Sequence, residues 1–345
     1  MATYLTLSNR VLESLNEVPF STTDSGTEFA ASRGIQTAVK TFINQSINDI
    51  YNAELQWSFL HSDGTQVTTA GTAEYSLPSD YRHVDYDTFI VTPTQLVSTN
   101  NFSSDANWTH SSSSISGGFL VLDQNDSAQQ TITTFVDNRQ YRATFRITGS
   151  TVTLKVGTSS GGTEIKSEDF TVANTGEGQV HTTTFGATAS TLYITLTNTT
   201  STQAKVDFIN ITEDIDPQRL QYITYEQFAR DYRETDASID SSSYGTPEYV
   251  YPTQDGKFGL HPIPDRGNYT VLFEYWTTHT ELSAYDDSPT LATRYQDIVV
   301  SKSKYYTYML RGDIQMAQMC LQEYLQGITR MRVELINRDE IMRYV

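Results

Sequence analysis

The sequence has one cysteine, no long apolar run and few basic residues. Cys320 is the only cysteine in 345 residues, so no disulfide can form within the chain, and the core must hold without covalent cross-links. No stretch approaches the ~18 consecutive apolar residues that a membrane span requires. The N-terminus has no basic segment followed by an apolar core, which predicts the absence of a signal peptide. These absences favour a protein of a reducing compartment with no membrane partner.

Positive charge is scarce, and its distribution is uneven. The chain carries 23 Lys and Arg against 41 Asp and Glu, a formal net charge of −18. This argues against a protein that holds nucleic acid by neutralising phosphates. Residues 97–214 contain six basic and eleven acidic residues, a net of −5, which leaves −13 for the rest of the chain. An acidic wall is compatible with DNA that slides past without binding.

Signatures of catalysis and of bound cofactors are also missing. The sequence contains no Walker A motif, no G-x-G-x-x-G, no H-E-x-x-H and no G-x-S-x-G. The six histidines, at positions 61, 83, 110, 181, 261 and 279, are scattered without metal-ligand spacing. The expectation is a protein that is not an enzyme, with no catalytic residue, no cofactor and no metal.

Two acidic clusters leave alternatives open. Asp123 to Asp126 resembles the start of a calcium loop, but it lacks the glycine and the closing glutamate, so a turn is the favoured interpretation and a metal remains an alternative. Asp286 and Asp287 are adjacent, so their side chains need not converge as paired catalytic acids do. They are interpreted as a turn and cap before a helix near Thr293.

Helical and strand periodicities alternate in the two ends of the chain. Apolar residues at helical spacing predict helices over 4–16, 27–56, 222–234, 293–311 and 314–337, with Thr27 as an N-cap and Gly312-Asp313 dividing the last two. Alternation with period two predicts strands over 66–70, 73–77, 82–91, 248–252, 258–261 and 269–276.

The middle of the chain is rich in Ser and Thr, yet it keeps strand periodicity. Alternating apolar positions predict seven or eight short strands, over 119–122, 131–136, 141–147, 151–156, 170–172, 191–197 and 206–211. The predicted fold class is therefore α+β: a helical bundle with a small antiparallel sheet as a frame, interrupted by an all-β sandwich of jelly-roll or immunoglobulin type. The predicted domains are 1–95 (frame, first half), 96–214 (inserted sandwich) and 215–345 (frame, second half).

Short motifs in the frame resemble one family. Gly71 to Arg82 (GTAEYSLPSDYR), Gly245 to Tyr249 (GTPEY) and Gly259 to Asp265 (GLHPIPD) occur in an order and spacing that resemble the head-to-tail adaptor (tail tubular) proteins of short-tailed, T7-like phages. The run from Tyr306 to Gln315 is also similar to that family. The resemblance covers about 1–95 and 215–345 and does not extend to 96–214.

The resemblance implies a structural protein of the virion tail at the head–tail interface, assembled in the host cytoplasm. It implies a homo-oligomeric ring, a dodecamer, that joins the portal protein to the tail nozzle protein, adjoins tail fibres and lets double-stranded DNA pass without specific binding. The last segment would dock to the portal through Val333, Leu335, Ile336, Ile341, Met342 and Tyr344; a helix folded on its own subunit is the alternative. Loops at Asp255, Lys257, Asp265 and Arg266 would face the nozzle.

Aromatic residues suggest two further surfaces. Among 22 tyrosines, Tyr295, Tyr305, Tyr306, Tyr308 and Tyr324 lie on the predicted C-terminal helices, and they are interpreted as a subunit interface, with burial in the subunit's own core as the alternative. Trp108, Tyr141 and Tyr193 in the insertion could stack on a sugar ring. An alternative function is therefore a carbohydrate-binding or fibre-docking virion module whose sandwich is the working part; a glycan-processing enzyme is a third hypothesis.

Overall fold

The computed structural model describes residues 2–21, 26–172, 176–236, 243–253 and 256–336. The helices are α1 (Tyr4–Ser14), α2 (Thr27–Ala30), α3 (Ile35–Asn52), α4 (Tyr225–Asp231), α5 (Arg233–Asp236), α6 (Gln296–Arg311) and α7 (Ile314–Leu335). The first nine strands are β1 (His61–Val67), β2 (Glu74–Ser76), β3 (Tyr81–Pro93), β4 (Thr109–Ser111), β5 (Ser114–Ser116), β6 (Phe119–Leu122), β7 (Ser127–Ile132), β8 (Gln140–Thr148) and β9 (Val152–Gly157). The others are β10 (Lys166–Phe170), β11 (Gln179–Gly186), β12 (Leu192–Thr197), β13 (Ala204–Glu213), β14 (Gln218–Arg219), β15 (Gln221–Tyr222), β16 (Tyr249–Pro252), β17 (Lys257–His261) and β18 (Tyr269–Thr277).

The chain divides into two compact units. The first contains residues 1–64, 77–86 and 273–345, and the second contains 65–76 and 87–272. The boundaries fall inside β1, β3 and β18, so these strands run from one unit into the other. The second unit therefore holds the predicted insertion together with parts of the predicted frame on both sides of it.

The first unit is built from α1, α2, α3, α6 and α7 around a common apolar core. In α1 the buried residues Leu7, Val11 and Leu12 recur at helical spacing, and the Thr3 side chain caps the helix by accepting a hydrogen bond from Thr6 N at 3.2 Å. The core includes Val39, Ile43, Ile47 and Ile50 of α3, Val299 of α6, and Ile328 and Met331 of α7. Several separate stretches of sequence thus share one core.

The prediction of one continuous helix over 27–56 is wrong. Two helices replace it, because the chain turns at Gly34, whose φ of 57° is in the left-handed region that glycine adopts most easily. Gly26, and not Thr27, occupies the N-cap of α2, and α3 ends at Asn52. The predicted helix over 222–234 is likewise divided into α4 and α5.

The second unit contains a β-sandwich with a core of its own. Two five-stranded antiparallel sheets have the orders β10-β9-β12-β7-β4 and β11-β8-β13-β6-β5. Their inward side chains form a core whose buried members all lie between Val97 and Ile211. The ends of the segment meet, since Leu96 N donates to Ile211 O at 2.9 Å. The division at 96 and 214 nevertheless stays a prediction.

Strand β11 lies in a stretch for which the sequence predicted no strand. It is an edge strand of mostly polar residues, Gln179 to Gly186, paired only with β8 among the described residues. An edge strand with few buried side chains lacks the apolar alternation from which strands are predicted. The described residues of this segment form ten strands, β4 to β13, where seven or eight were expected.

Two four-stranded sheets complete the described structure, with orders β1-β18-β3-β14 and β15-β16-β17-β2. The three strands predicted after residue 247 are found as β16, β17 and β18. The second of these sheets is mixed, since β15 pairs with β16 in parallel and β16 with β17 antiparallel. Helices and sheets are thus combined with a sandwich, as the predicted α+β class requires. The helical-bundle description of the frame stays a prediction.

Candidate docking surface

The turn between α6 and α7 is fixed by two adjacent residues. Gly312 adopts a left-handed conformation, with φ 77°, and ends α6, as glycine often does at this position. Asp313 begins α7 by accepting a hydrogen bond from Met316 N to its side chain at 3.1 Å. The backbone therefore turns sharply between α6 and α7, as the predicted division at Gly312-Asp313 requires.

The hairpin formed by α6 and α7, residues 296–335, carries large apolar side chains that are exposed. Leu310 is 61% exposed, Ile314 60% and Met319 58%. The other exposed members of this set are Met309, Met316, Leu325 and Val333. Apolar exposure of this kind is common at surfaces that bind a partner, and methionine adapts easily to the shape of a partner.

The opposite side of α7 faces the core of the first unit. Ala317, Cys320, Tyr324, Ile328 and Met331 are buried. Burial raises the pKa of the Cys320 thiol, so this residue acts as a small apolar side chain. Because α7 already buries one apolar side, its exposed apolar side chains lie around the rest of the helix.

The residues predicted to dock on the portal lie at the end of α7 and beyond it. Val333 is exposed, whereas Leu335 and Ile336 are half-buried and pack against the core of the first unit. Ile341, Met342 and Tyr344 lie outside the described residues. The predicted portal role of this set stays a prediction.

The five C-terminal tyrosines occupy two environments. Tyr295 and Tyr324 are buried, and Tyr305, Tyr306 and Tyr308 are half-buried. Burial raises the pKa of Tyr324 to about 12, so its hydroxyl stays neutral at physiological pH. Tyr305 and Tyr308 therefore keep more surface for a neighbouring subunit than Tyr295 and Tyr324 do, and the interface assignment stays a prediction.

A lysine lies among three of these tyrosine rings. Lys302 Nζ lies 4.5 Å from the ring centroid of Tyr324, 4.9 Å from that of Tyr305 and 5.1 Å from that of Tyr306. The same ammonium group pairs with Asp49 on α3 at 3.4 Å, and the hydroxyl of Tyr306 donates to Asp49. These cation–π and ionic contacts bind the hairpin to α3 and stabilise the side of the hairpin that faces α3.

The loop residues predicted to face a nozzle differ in their exposure. Lys257 is exposed at the start of β17, whereas Asp255 lies outside the described residues. Arg266 is buried: its guanidinium contacts Glu213 at 2.9 Å and Asp265 at 2.8 Å. Arg266 is thus occupied within the second unit, and sequence reasoning missed its partner Glu213, which lies 53 positions earlier. The nozzle role of these loops stays a prediction.

Two of the three aromatic residues considered for sugar stacking are core residues. Trp108 packs against Phe102 with ring centroids 5.2 Å apart, and Tyr141 is fully buried, with its hydroxyl accepting a hydrogen bond from Val136 N at 2.7 Å. Both rings are buried, with 7% of Trp108 and none of Tyr141 exposed, so neither presents a face on which a sugar could stack. Tyr193 is half-buried on β12.

Both acidic clusters serve local turns. Asp126 accepts a hydrogen bond from Asp123 N at 2.9 Å, which closes the turn between β6 and β7. Asp287 accepts from Ser283 N at 2.6 Å and from Ala284 N at 2.7 Å, and these backbone donors lower the pKa of its carboxyl. Asp287 therefore closes a turn, as predicted. The predicted cap is wrong, because Ala292 precedes the short helix at Thr293 and no side chain caps it. Within the described ranges, none of the helices has both the length and the apolarity to cross a membrane.

Comparison with protein families gives a match over nearly the whole chain. The sequence profile described as "SU10 adaptor protein" matches residues 2–155 and 164–344. The matched range includes most of the β-sandwich as well as both parts of the predicted frame. No curated protein matches the chain.

Solved structures resemble about a third of the chain. The structure of TmCBM61 in complex with β-1,4-galactotriose is 16% identical, with 35% of this chain and 99% of that chain covered and a TM-score of 0.27. The CBM22-1 xylan-binding domain from Paenibacillus barcinonensis Xyn10C is 12% identical, with 35% and 95% covered and a TM-score of 0.27. The enzymatically active domain of tailspike protein 4 of bacteriophage CBA120 is 13% identical, with 34% and 21% covered and a TM-score of 0.28. TM-scores this low carry no functional argument.

Proposed function

We propose, from the premise that this chain belongs to the SU10 adaptor protein family, that it is a ring-forming subunit which joins the portal of a phage head to its tail nozzle. Family membership makes it a phage adaptor and a virion component, and it is consistent with a structural protein that has no catalytic role. The ring, the portal, the nozzle and the passage of DNA are the proposed parts.

The observation that carries the proposal is the exposed apolar surface of the α6–α7 hairpin in a chain of this family. Leu310, Ile314 and Met319 are each more than half exposed. Exposure of this extent is unfavourable in water for a protein that works alone. Contact with a neighbouring copy and with the portal would cover this surface.

The distribution of charge also favours the α6–α7 hairpin as the surface of contact between copies. Two copies that each carry a net charge of −18 repel one another. Residues 296–335, however, contain five Lys or Arg and four Asp or Glu, so the hairpin has a net charge of +1. Repulsion is smallest where the hairpin of one copy meets another, which favours subunit contact there and leaves acidic surface for a DNA channel.

The proposed organisation assigns separate tasks to the predicted domains. Residues 1–95 and 215–345 would form the ring, Val333 to Tyr344 would reach the portal, and loops near Lys257 would face the nozzle. The sandwich of residues 96–214 would be an accessory docking module on the outside. Tail fibres are its proposed partners, and the carbohydrate-binding alternative has Tyr193 as its remaining aromatic candidate.

Assembly measurements test the proposal. We expect the purified chain, alone or mixed with the portal protein of the same phage, to give a single large oligomer by mass photometry. The double substitution of Leu310→Gln and Met319→Gln is expected to abolish it, because both side chains lose the apolar contact. Val180→Gln provides a matched control, since Val180 is 55% exposed on β11, away from the hairpin in sequence. A strictly monomeric wild-type protein that also fails to bind the portal would contradict the proposal.

A further inference from the structure

Three side chains that can bind metal meet on one side of the sheet in the first unit. His61 and Asp63 are two residues apart on β1, so their side chains project from the same face of the strand. Strand β18 is the neighbour of β1 in the sheet and carries Glu274. One ligand atom from each of the three residues lies within 4.8 Å of the other two, and His61 Nε2 is 3.2 Å from Glu274 Oε2. All three residues are exposed, so an ion from solution can reach them.

The packing beneath the cluster holds the two strands in position. A Cβ added at Gly64 would collide with the ring of Phe273, so this buried ring lies directly on the backbone of β1. Phe273 precedes Glu274 and faces the opposite side of the sheet. The contact of Phe273 with Gly64 therefore fixes Glu274 beside Asp63 and His61.

A buried tryptophan orients the imidazole. The ring of Trp276 lies edge-to-face with the ring of His61, with centroids 5.4 Å apart, and Trp276 is buried. Trp276 and Glu274 are two residues apart on β18 and thus share a face. The imidazole is supported on one side by Trp276 and has its Nε2 directed to Glu274.

The electrostatics of the cluster favour a cation. The carboxylates of Asp63 and Glu274 lie close enough to repel each other, and none of the ion pairs formed by the described residues includes Asp63. A divalent ion would relieve this repulsion. One imidazole nitrogen and two carboxylate oxygens suit a transition metal such as Zn²⁺, whereas Ca²⁺ and Mg²⁺ prefer oxygen ligands alone.

We propose that His61, Asp63 and Glu274 form a binding site for a divalent transition metal ion. Three protein ligands leave a fourth tetrahedral position for water. The ion would cross-link β1, from the early part of the chain, to β18, which follows it by about two hundred residues, and would stabilise the first unit by binding only the folded state. The site is independent of the proposed adaptor role.

Calorimetric titration of the full-length chain with ZnCl₂ near neutral pH tests this site. We expect saturable binding that accounts for one ion per chain and is lost on acidification, because protons compete for the imidazole. His61→Ala and Glu274→Gln should each weaken this binding by about tenfold or more, as removal of a direct ligand costs at least as much as removal of a supporting residue. Zn²⁺ should also raise the melting temperature of the wild type and not that of the variants.

His83→Ala is the matched control. The ring of His83 also contacts Trp276, with centroids 5.6 Å apart, but His83 is not one of the three residues. This variant should bind Zn²⁺ as the wild type does. The proposal is overturned if the wild type shows no saturable Zn²⁺ binding, if His61→Ala and His83→Ala have equal effects, or if Ca²⁺ binds as tightly as Zn²⁺.

Discussion

The carboxylate of Glu213 is buried, and only 4% of the Glu213 side chain is exposed to solvent. Arg266 contacts it at 2.9 Å and Arg139 at 4.0 Å, yet within the described residues Glu213 Oε2 and Arg266 Nε have no hydrogen-bond partner. Burial raises the pKa of the Glu213 carboxyl, and this effect outweighs the attraction of the two guanidinium groups. A buried ion pair of this kind costs desolvation as well as giving attraction, so it is weak support for stability by itself.

The raised pKa of Glu213 predicts a pH dependence that Glu213→Gln removes. Between the ordinary glutamate pKa of about 4.3 and the raised one, the folded state binds this proton and the unfolded chain releases it. The contribution of Glu213 to stability is therefore present at low pH and is lost as the pH rises through the folded-state pKa. We expect the stability of the wild type relative to Glu213→Gln, from urea unfolding, to decrease as the pH rises above the ordinary glutamate pKa. An increase over the same range would show that ion pairing outweighs burial.

Partners such as these could not be predicted from the sequence. Glu213 and Arg266, like His61 and Glu274, lie far apart in the chain and meet only through the topology of the sheets. Local patterns did predict the division between α6 and α7 at Gly312-Asp313, because a helix end depends on neighbouring residues. The histidines were read as scattered, since spacing along the chain does not show which strands become neighbours.

At the scale of elements, the hairpin turn gives a direct test. Asp313→Ala should lower the free energy of unfolding by about 1 kcal/mol, because the first turn of α7 loses the acceptor for Met316 N. Gln315→Ala, at an exposed position in the same turn, is the control and should change it little. Thermal and urea unfolding of both variants provide the measurement, and equal stability of the two would contradict the capping role.

Helices and strands were predicted correctly where apolar residues repeat at regular spacing. They were missed where a strand is mostly polar or where a break depends on backbone conformation. The alternation of Tyr141, Ala143, Phe145 and Ile147 predicted β8, because all four face the sandwich core. Strand β11 was missed because its pairing is made by the backbone and few of its side chains are buried. The division of α2 from α3 depends on one glycine with positive φ, which the apolar pattern on either side does not show.

At the scale of the whole molecule, charge and apolar exposure are distributed unevenly along the chain. The hairpin combines exposed apolar residues with a charge near zero, while the remainder carries the acidity. In the proposed ring, such a distribution would direct association to the hairpin and keep the acidic surfaces apart. The sandwich core, in contrast, is complete within its own segment, which is the physical basis for treating it as separable.

Replacing residues 97–211 by a short Gly-Ser linker tests that separability. Because Leu96 N and Ile211 O are 2.9 Å apart, a few residues can join the two ends without strain. The core of the first unit contains no residue of this segment, so its helices should form as before. We therefore expect unchanged helical content by circular dichroism and the oligomeric state of the wild type by mass photometry, at a lower mass per subunit. A folded monomer would show that the sandwich takes part in ring assembly, and an unfolded chain would show that the segment between Leu96 and Ile211 is not separable.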